Sequence, residues 1–242
     1  MPASITATLC PSAPLQPTYE QLHRLVVWLL EAPNSAGHQA QTKPWSVWPL
    51  MPSADVAGAV DLRVNWLPPA QRIPERLSAL LAKNPRLGNV ALTAVRIDAP
   101  ASQPYERLLA LPPLARCDLV FLSSTYISRS GRDYLLPDPE LLVRRLAARW
   151  NEHVGSQRLA LVGDDVRKLA GDVICVAHEL RTVRITAEEG RERTGFVGQL
   201  RLGVRQPGLR RLFATLCAFA PYTGIGAQTT HGLGAVRALP VR

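Results

Sequence analysis

Ser4-Ile-Thr-Ala-Thr-Leu-Cys10 alternates apolar and polar side chains and is rich in β-branched residues, the pattern of a half-buried strand. A Pro-rich turn follows, with Pro11, Pro14 and Pro17. Thr18 follows as a helix N-cap, with Gln21 three residues on completing a capping box, and the helix runs from Tyr19 to about Glu31. Pro33-Asn-Ser-Ala-Gly37 ends it. Further along, Trp45–Leu50 and Val60–Trp66 read as short strands, Pro74–Lys83 as a helix stopped by Asn84-Pro85, and Asn89–Ile97 as another strand. The order β-α-β-β-α-β is the ferredoxin-like unit.

Ala99-Pro-Ala-Ser-Gln-Pro104 has linker composition, and a second unit follows. Cys117–Ile127 is a strong strand. Asp138–Glu152 is a helix with Leu141, Leu142, Leu146 and Trp150 on one face and Arg144, Arg145 and Arg149 on the other. Val173–Thr186 and Thr194–Val204 form a long hairpin around a charged tip, Glu188–Arg193. Leu209–Phe219 is an amphipathic helix, and Leu239–Val241 closes the sheet. The expected fold class is α+β: two tandem ferredoxin-like (RRM-like) domains, 1–100 and 115–242, the second with a C-terminal glycine-rich loop.

Composition agrees with a folded chain that meets an anion. Of 242 residues, 47% are hydrophobic and 19% charged, which permits a packed core. The net charge is +9, and the last 49 residues carry six arginines and no acid. The basic residues are 25 Arg and 3 Lys, a bias suited to bidentate recognition of phosphate. No run of apolar residues is long enough for a membrane-spanning helix, and Met1–Cys10 lacks signal-peptide character, so a cytoplasmic protein without membrane contact is expected. Cys10, Cys117, Cys175 and Cys217 are scattered among apolar neighbours and read as buried free thiols. Five histidines show no metal-binding spacing, so no metal or other cofactor is expected.

Gly224-Ile-Gly-Ala-Gln-Thr-Thr-His-Gly-Leu-Gly234 is the most informative stretch. Its glycines permit positive φ and close approach of backbone N–H groups to an anion. On that reading, a bulky residue at Gly232 or Gly234 harms ligand handling more than folding. The loop fits neither dinucleotide nor P-loop spacing: Thr229 stands at the sixth position of the first, and the loop holds no Gly-Lys pair for the second. A purely structural loop stays open.

These residues also carry a resemblance. Gly195-Phe-Val-Gly198, the helix through Leu212, Leu216 and Phe219, and the loop 224–234 resemble the C-terminal signature of the RAMP superfamily. Within it they are similar to the CRISPR-associated endoribonuclease that cuts precursor CRISPR RNA within each repeat. Gln228 stands where that family has a basic residue. Leu119–Tyr126 resembles the strand opening the family's second domain. His38, followed by Lys43-Pro-Trp-Ser-Val-Trp-Pro-Leu50, resembles its catalytic segment, with Trp45 and Trp48 replacing Phe and Ser.

The resemblance implies metal-independent attack of the RNA's own 2′-OH on the adjacent phosphate, giving a 2′,3′-cyclic phosphate and a 5′-OH. Such chemistry needs proton donors and acceptors and cations. The implied proton carrier is His38, with Lys43 facing the phosphate. Tyr19, His23 and Arg24 on the first helix are the alternatives. RNA would be held by Gly224, Gly226, Gln228, Thr229, His231, Gly232 and Gly234, by nearby Arg201, Arg205, Arg210 and Arg211, and by the ridge Arg144, Arg145, Arg149. Expected partners are the repeat stem-loop, the mature guide RNA and other subunits of a CRISPR effector complex. A non-catalytic RAMP subunit that only holds guide RNA is the rival function.

Overall fold

The computed structural model describes residues 1–31, 42–67, 73–129, 132–186 and 192–241. His38 and most of the 188–193 tip lie outside the described residues. The first sheet is built from β1 (Ala3–Pro11), β2 (Trp45–Val47), β3 (Met51–Pro52), β4 (Val60–Trp66), β5 (Arg86–Leu87), β6 (Val90–Ile97) and β7 (Ala101–Ser102). Its order is β2-β4-β1-β6-β5, and every pairing is antiparallel. Helices α1 (Tyr19–Leu30) and α2 (Ile73–Leu81) join the strands. Ile5, Ala7 and Leu9 of β1 and Leu62 and Val64 of β4 share a core with Leu22, Leu25, Val26 and Leu29 of α1. The capping box forms as expected: Gln21 N–H donates to Thr18 Oγ1, and Thr18 N–H donates to Gln21 Oε1.

The second sheet contains β8 (Arg116–Thr125), then β11 (Val173–Thr186), β12 (Glu192–Val204) and β13 (Val236–Val241), in the order β11-β12-β8-β13. A separate small hairpin pairs β9 (Ile127–Arg129) with β10 (Arg132–Tyr134). The helices are α3 (Tyr105–Leu109), α4 (Pro139–His153), α5 (Gly163–Asp172) and α6 (Arg210–Thr223). In both sheets the first strand lies between the third and fourth principal strands, the ferredoxin-like order, within the expected α+β class.

Three local expectations are revised. Ala101–Ser102 pairs with Ser4 and Ala3, so the linker-like stretch belongs to the first sheet's edge. Helix α5 was not read from the sequence, although Val166, Leu169 and Ala170 bury one face of it. Cys117 and Cys217 are buried, but Cys10 is only half-buried and Cys175 is exposed, because it sits on the edge strand β11.

The two sheets are tied together through α6. The last carbonyls of a helix have no partner within it. Here Pro221 O accepts the Trp48 indole N–H at 3.4 Å, and Tyr222 O accepts the Ser46 hydroxyl at 2.8 Å. Ser46 in turn accepts from the buried Asn65 amide at 2.9 Å. Tyr105 donates to Leu67 O at 2.8 Å and packs edge-on against Trp150. These contacts fix the end of α6, and the glycine loop starts there.

Candidate functional site

The glycine loop is folded onto the end of β8. Ile225 N–H donates to Gly234 O at 2.8 Å, closing the loop on itself. Ala227 N–H donates to Tyr126 O at 2.9 Å, Gly234 N–H to Ser124 O at 3.0 Å, and Ala235 N–H to Ser123 Oγ at 2.9 Å. Gly224, Gly226, Gly232 and Gly234 all have positive φ. A Cβ on Gly226 would stand 2.5 Å from Tyr126 O, and one on Gly234 would stand 1.9 Å from Ile225 O. At Gly234 the expectation that a bulky residue harms ligand handling more than folding is therefore corrected: what approaches it closely, as at Gly226, is the protein's own backbone. Gln228 holds the left-handed conformation with φ 55° and accepts the Tyr126 hydroxyl at 2.7 Å. It fixes the loop's shape at the position where the resemblance expects a basic residue.

Helix α1 meets the loop through two imidazoles. His23 and His231 stack with ring centroids 3.9 Å apart and an interplanar angle of 1°. The His23 Nδ1 stands 3.0 Å from Thr230 O and the ring also stacks on Trp45. With His23 Nδ1 as the N–H tautomer, it donates to that carbonyl. Gly232 completes the contact, since a Cβ there would lie 2.8 Å from Leu22 Cδ2. Tyr19, at the start of the same helix, packs near Tyr126 and Leu233, and burial raises its hydroxyl pKa. Arg24 is exposed on the helix's outer side. Lys43 donates to Glu31 Oε2 at 3.1 Å, and the Trp45 indole donates to Glu31 Oε1 at 2.9 Å. The charge that Lys43 was expected to offer a phosphate is thus shared with a buried carboxylate.

This clasp predicts a pH effect. Burial, then the neighbouring His23, pushes His231 down to about 4, and burial also lowers His23. Unfolded imidazoles take up protons near 6.5, so below that pH the unfolded chain binds more protons than the folded one. Stability therefore falls as pH drops from about 6.5 towards 4. His153, also held near 4 by burial, adds to the slope. Thermal melts across this range should show a shallower loss for His231→Phe than for the wild type. Equal slopes would remove the clasp from this account.

Beside the loop lies a cavity of about 280 Å³, lined by Thr42, Arg145, Arg149, Glu152, Thr223, Gly224, Gly226 and Thr229 among others. Arg145 and Arg149 are one helical turn apart on α4 and face the same side. Arg149 donates to Lys43 O at 2.8 Å and to Thr223 Oγ1 at 3.2 Å, which holds its guanidinium at the junction of both halves. Arg145 donates to Ser128 O. Burial lowers the pKa of both guanidiniums, which remain cations because the starting value is 12.5. A phosphate is the natural complement to two part-buried guanidiniums beside a loop of backbone dipoles. Among the described residues, no group of three or more His, Cys, Asp or Glu side chains could hold a metal.

Residues 119–236 match the family model of the CRISPR-associated endoribonuclease Cas6. Over that span the chain is similar to the Cas6 family. The matched span runs from mid-β8 through the glycine loop into β13, so it includes both guanidiniums of the cavity. A CRISPR-associated endoribonuclease Cas6 of Mycobacterium tuberculosis is 26% identical over 148 residues. That match covers 59% of this chain and 45% of the relative, so the chain spans less than half the length of the curated relative. A solved Cas6 product complex superimposes with a TM-score of 0.82 at 23% identity, covering 98% of each chain. Thermus thermophilus Cas6 superimposes with a TM-score of 0.76 at 23% identity, covering 99% of this chain and 98% of its own. These superpositions establish the fold along nearly the whole chain.

Within this Cas6 fold the expected arginine groups separate. Arg201 is held bidentate by Asp118, at 2.6 and 2.7 Å, and Arg205 pairs with Asp172. Asp118 lies seven residues before Thr125 along β8, about 23 Å at the rise of a strand. Arg201 is therefore far from the glycine loop. Arg205, which follows the end of β12, and Arg210 and Arg211 at the start of α6 lie at the same remote end. The expectation of one continuous surface is corrected, because β12 runs antiparallel to β8 and α6 runs the length of the sheet. The ridge on α4 also divides: Arg144 points outward in an ion pair with Glu140, while Arg145 and Arg149 face the cavity.

Two residues beside the loop were missed. Arg193 donates to the Tyr126 hydroxyl at 3.3 Å and to Asp133 at 3.2 Å, and its guanidinium lies 5.4 Å from the Tyr126 ring centroid. No local signal marks either residue, since their meeting depends on the pairing of β12 with β8. Among the described residues, no helix is long and apolar enough to cross a membrane.

Proposed function

We propose that this chain cleaves precursor CRISPR RNA within the repeat. The RNA's 2′-OH attacks the adjacent phosphorus, the P–O5′ bond breaks, and the ends become a 2′,3′-cyclic phosphate and a 5′-OH. One group must take the 2′-OH proton and one must supply a proton to the leaving 5′-oxygen. The observation that carries this reading is the cavity where Arg145 and Arg149 meet the glycine loop and Thr42. The guanidiniums bind the phosphate and stabilise its added charge in the transition state. His38 precedes Thr42 by four residues, so chain length keeps its Cα within about 14 Å of Thr42. That supports His38 as the proton-transfer group at this cavity. His23, wedged between Trp45 and His231, orients the loop. The RNA stem lies along the exposed arginines by shape and phosphate contacts, and the mature guide stays bound for handover to further CRISPR subunits.

The test is cleavage of a precursor carrying two repeats, with the product ends analysed. We expect full activity in EDTA, a 5′-OH that polynucleotide kinase labels directly, and a 3′ end blocked as a cyclic phosphate. Loss of cleavage in EDTA with restoration by magnesium, while the RNA keeps its fold, would overturn the mechanism. Tight repeat binding with no cleavage would leave the non-catalytic RAMP subunit as the function.

Affinity should also depend steeply on salt. Counterion release makes log K fall with log[salt] by about 0.7–0.9 per neutralised phosphate. Three phosphate contacts give a slope of about −2 or steeper. Because Arg201 and Arg205 are already paired with acids, Arg201→Ala should change that slope less than Arg145→Ala. A flat titration on a repeat stem-loop would count against phosphate-led binding.

A further inference from the structure

Glu31 caps the end of α1, where its N–H donates to Val27 O at 2.8 Å. Its side chain is 6% exposed, and taking a charge out of water is costly unless partners replace the water. Both carboxylate oxygens are engaged. Oε2 accepts from the Lys43 ammonium at 3.1 Å, and Oε1 accepts from the Trp45 indole at 2.9 Å. The Glu31 carbonyl accepts from Arg76 of α2 at 3.0 Å, which ties the same residue to the second helix. Lys43 precedes β2, so the ladder that pairs Trp45–Val47 with β4 does not hold it. Its carbonyl nevertheless accepts from Arg149 at 2.8 Å, and Arg149 lines the cavity beside the glycine loop.

We propose that Glu31 is a positioning residue for the cleavage proposed above, on which this role rests: its carboxylate fixes Lys43, and the Lys43 carbonyl fixes the guanidinium of Arg149. A guanidinium is a planar fork, so its direction decides which N–H groups face a phosphate. Lys43 O and Thr223 Oγ1 each hold one of its nitrogens. Thr223 is placed by α6, whereas Lys43 lies outside the strand ladder and is placed through its ion pair with Glu31. With that pair broken, the Lys43 ammonium, only 15% exposed, turns towards water and carries its own carbonyl with it. Arg149 then loses an acceptor and shifts in the cavity. A displacement of about 1 Å at a reacting site is enough to cost about 10²-fold in rate.

The experiment is a double-mutant cycle on the full chain, read as single-turnover cleavage of repeat RNA at saturating enzyme. Circular dichroism confirms folding, and a binding titration runs beside it. Glu31→Gln keeps an acceptor for the Trp45 indole and removes the charge that holds Lys43. We expect it to slow cleavage at least about tenfold while affinity stays within about threefold. Arg149→Ala alone should slow cleavage about 10²–10³-fold. In the Arg149→Ala background, Glu31→Gln should cost less than about twofold more, because its effect runs through that guanidinium. Should Glu31→Gln fail to fold, the cycle is run with Glu31→Asp, which keeps the charge but sets it one methylene back. That variant should slow cleavage about threefold with Arg149 present and leave the rate unchanged without it. A folded Glu31→Gln protein that cuts within about threefold of wild type overturns the proposal. So does an equal loss in both backgrounds, the mark of an ion pair that serves stability alone. If the wild type binds the repeat without cutting it, the proposed function fails and this role falls with it. If the wild type cuts and the two losses are equal, only this role fails.

Discussion

His38→Ala slows single-turnover cleavage of repeat RNA by about 10²–10⁴-fold, the usual cost of losing a general acid or base. Affinity should stay within about threefold, because binding rests on guanidinium and backbone contacts to phosphate and not on this imidazole. Saturating enzyme and a single turnover remove binding and product release from the rate. The rivals on α1 predict a different pattern. His23→Ala deletes the stacking partner of His231 and the contact to Thr230 O. It should therefore lower stability and RNA affinity together, with cleavage of the bound RNA largely kept. Arg24 is exposed on the outer side of α1, and its removal should be nearly silent. If His38→Ala cleaves within about threefold of wild type while His23→Ala loses more than 10²-fold, far inside the general-acid range, proton transfer belongs to His23.

Gly234→Val unfolds the glycine loop and lowers the melting temperature by about 6–12 °C. Two effects add. Gly234 has a φ of 67°, a conformation that costs a non-glycine residue about 1–2 kcal/mol and a β-branched one more. The new Cβ would also stand 1.9 Å from Ile225 O, the residue whose N–H donates to Gly234 O. Together these cost about 3 kcal/mol, and each kcal/mol shifts the midpoint by about 2–4 °C in a chain of this size. RNA affinity should fall in parallel, since the Gly224–Gly226 wall of the cavity is held by the same hydrogen bond. Gly171→Ala is the control: it lies in α5, nothing stands within 4 Å of the added Cβ, and it should be neutral or slightly stabilising. A Gly234→Val protein that melts with the wild type yet fails to bind RNA would return the loop to a pure ligand cradle.

Much of this architecture is readable locally. Thr18 and Gln21 announce the start of α1, Asp138 announces α4, and the alternation in Ser4–Cys10 and Val60–Trp66 marks two central strands of the first sheet. Each of these signals acts through neighbours within four residues: a cap, a pleat or a helical face. Where local and long-range demands conflict, the reading fails. Leu209–Phe219 was expected to end before Pro221, yet α6 continues to Thr223. Its terminal carbonyls accept hydrogen bonds from Trp48 and Ser46 of the other half, and nothing near Pro221 in the chain reports that. Short strands such as Ala101–Ser102 exist only because β1 offers them an edge.

The amino-acid pattern alone settles the α+β class, the order of the principal strands and helices, and the position of the glycine loop after a helix. These follow from side-chain periodicity, capping chemistry and the φ that only glycine adopts easily, all of which act over a few bonds. Which cations share a site was settled elsewhere. Arg145 and Arg149 reach the loop while Arg201, four residues from Arg205 and equally basic, is carried to the far end and neutralised by Asp118. Strand register and helix packing join residues about a hundred positions apart, such as Arg149 with Lys43 and Gln228 with Tyr126. Charge counted along a chain has no distance in it, and a site is made by distances.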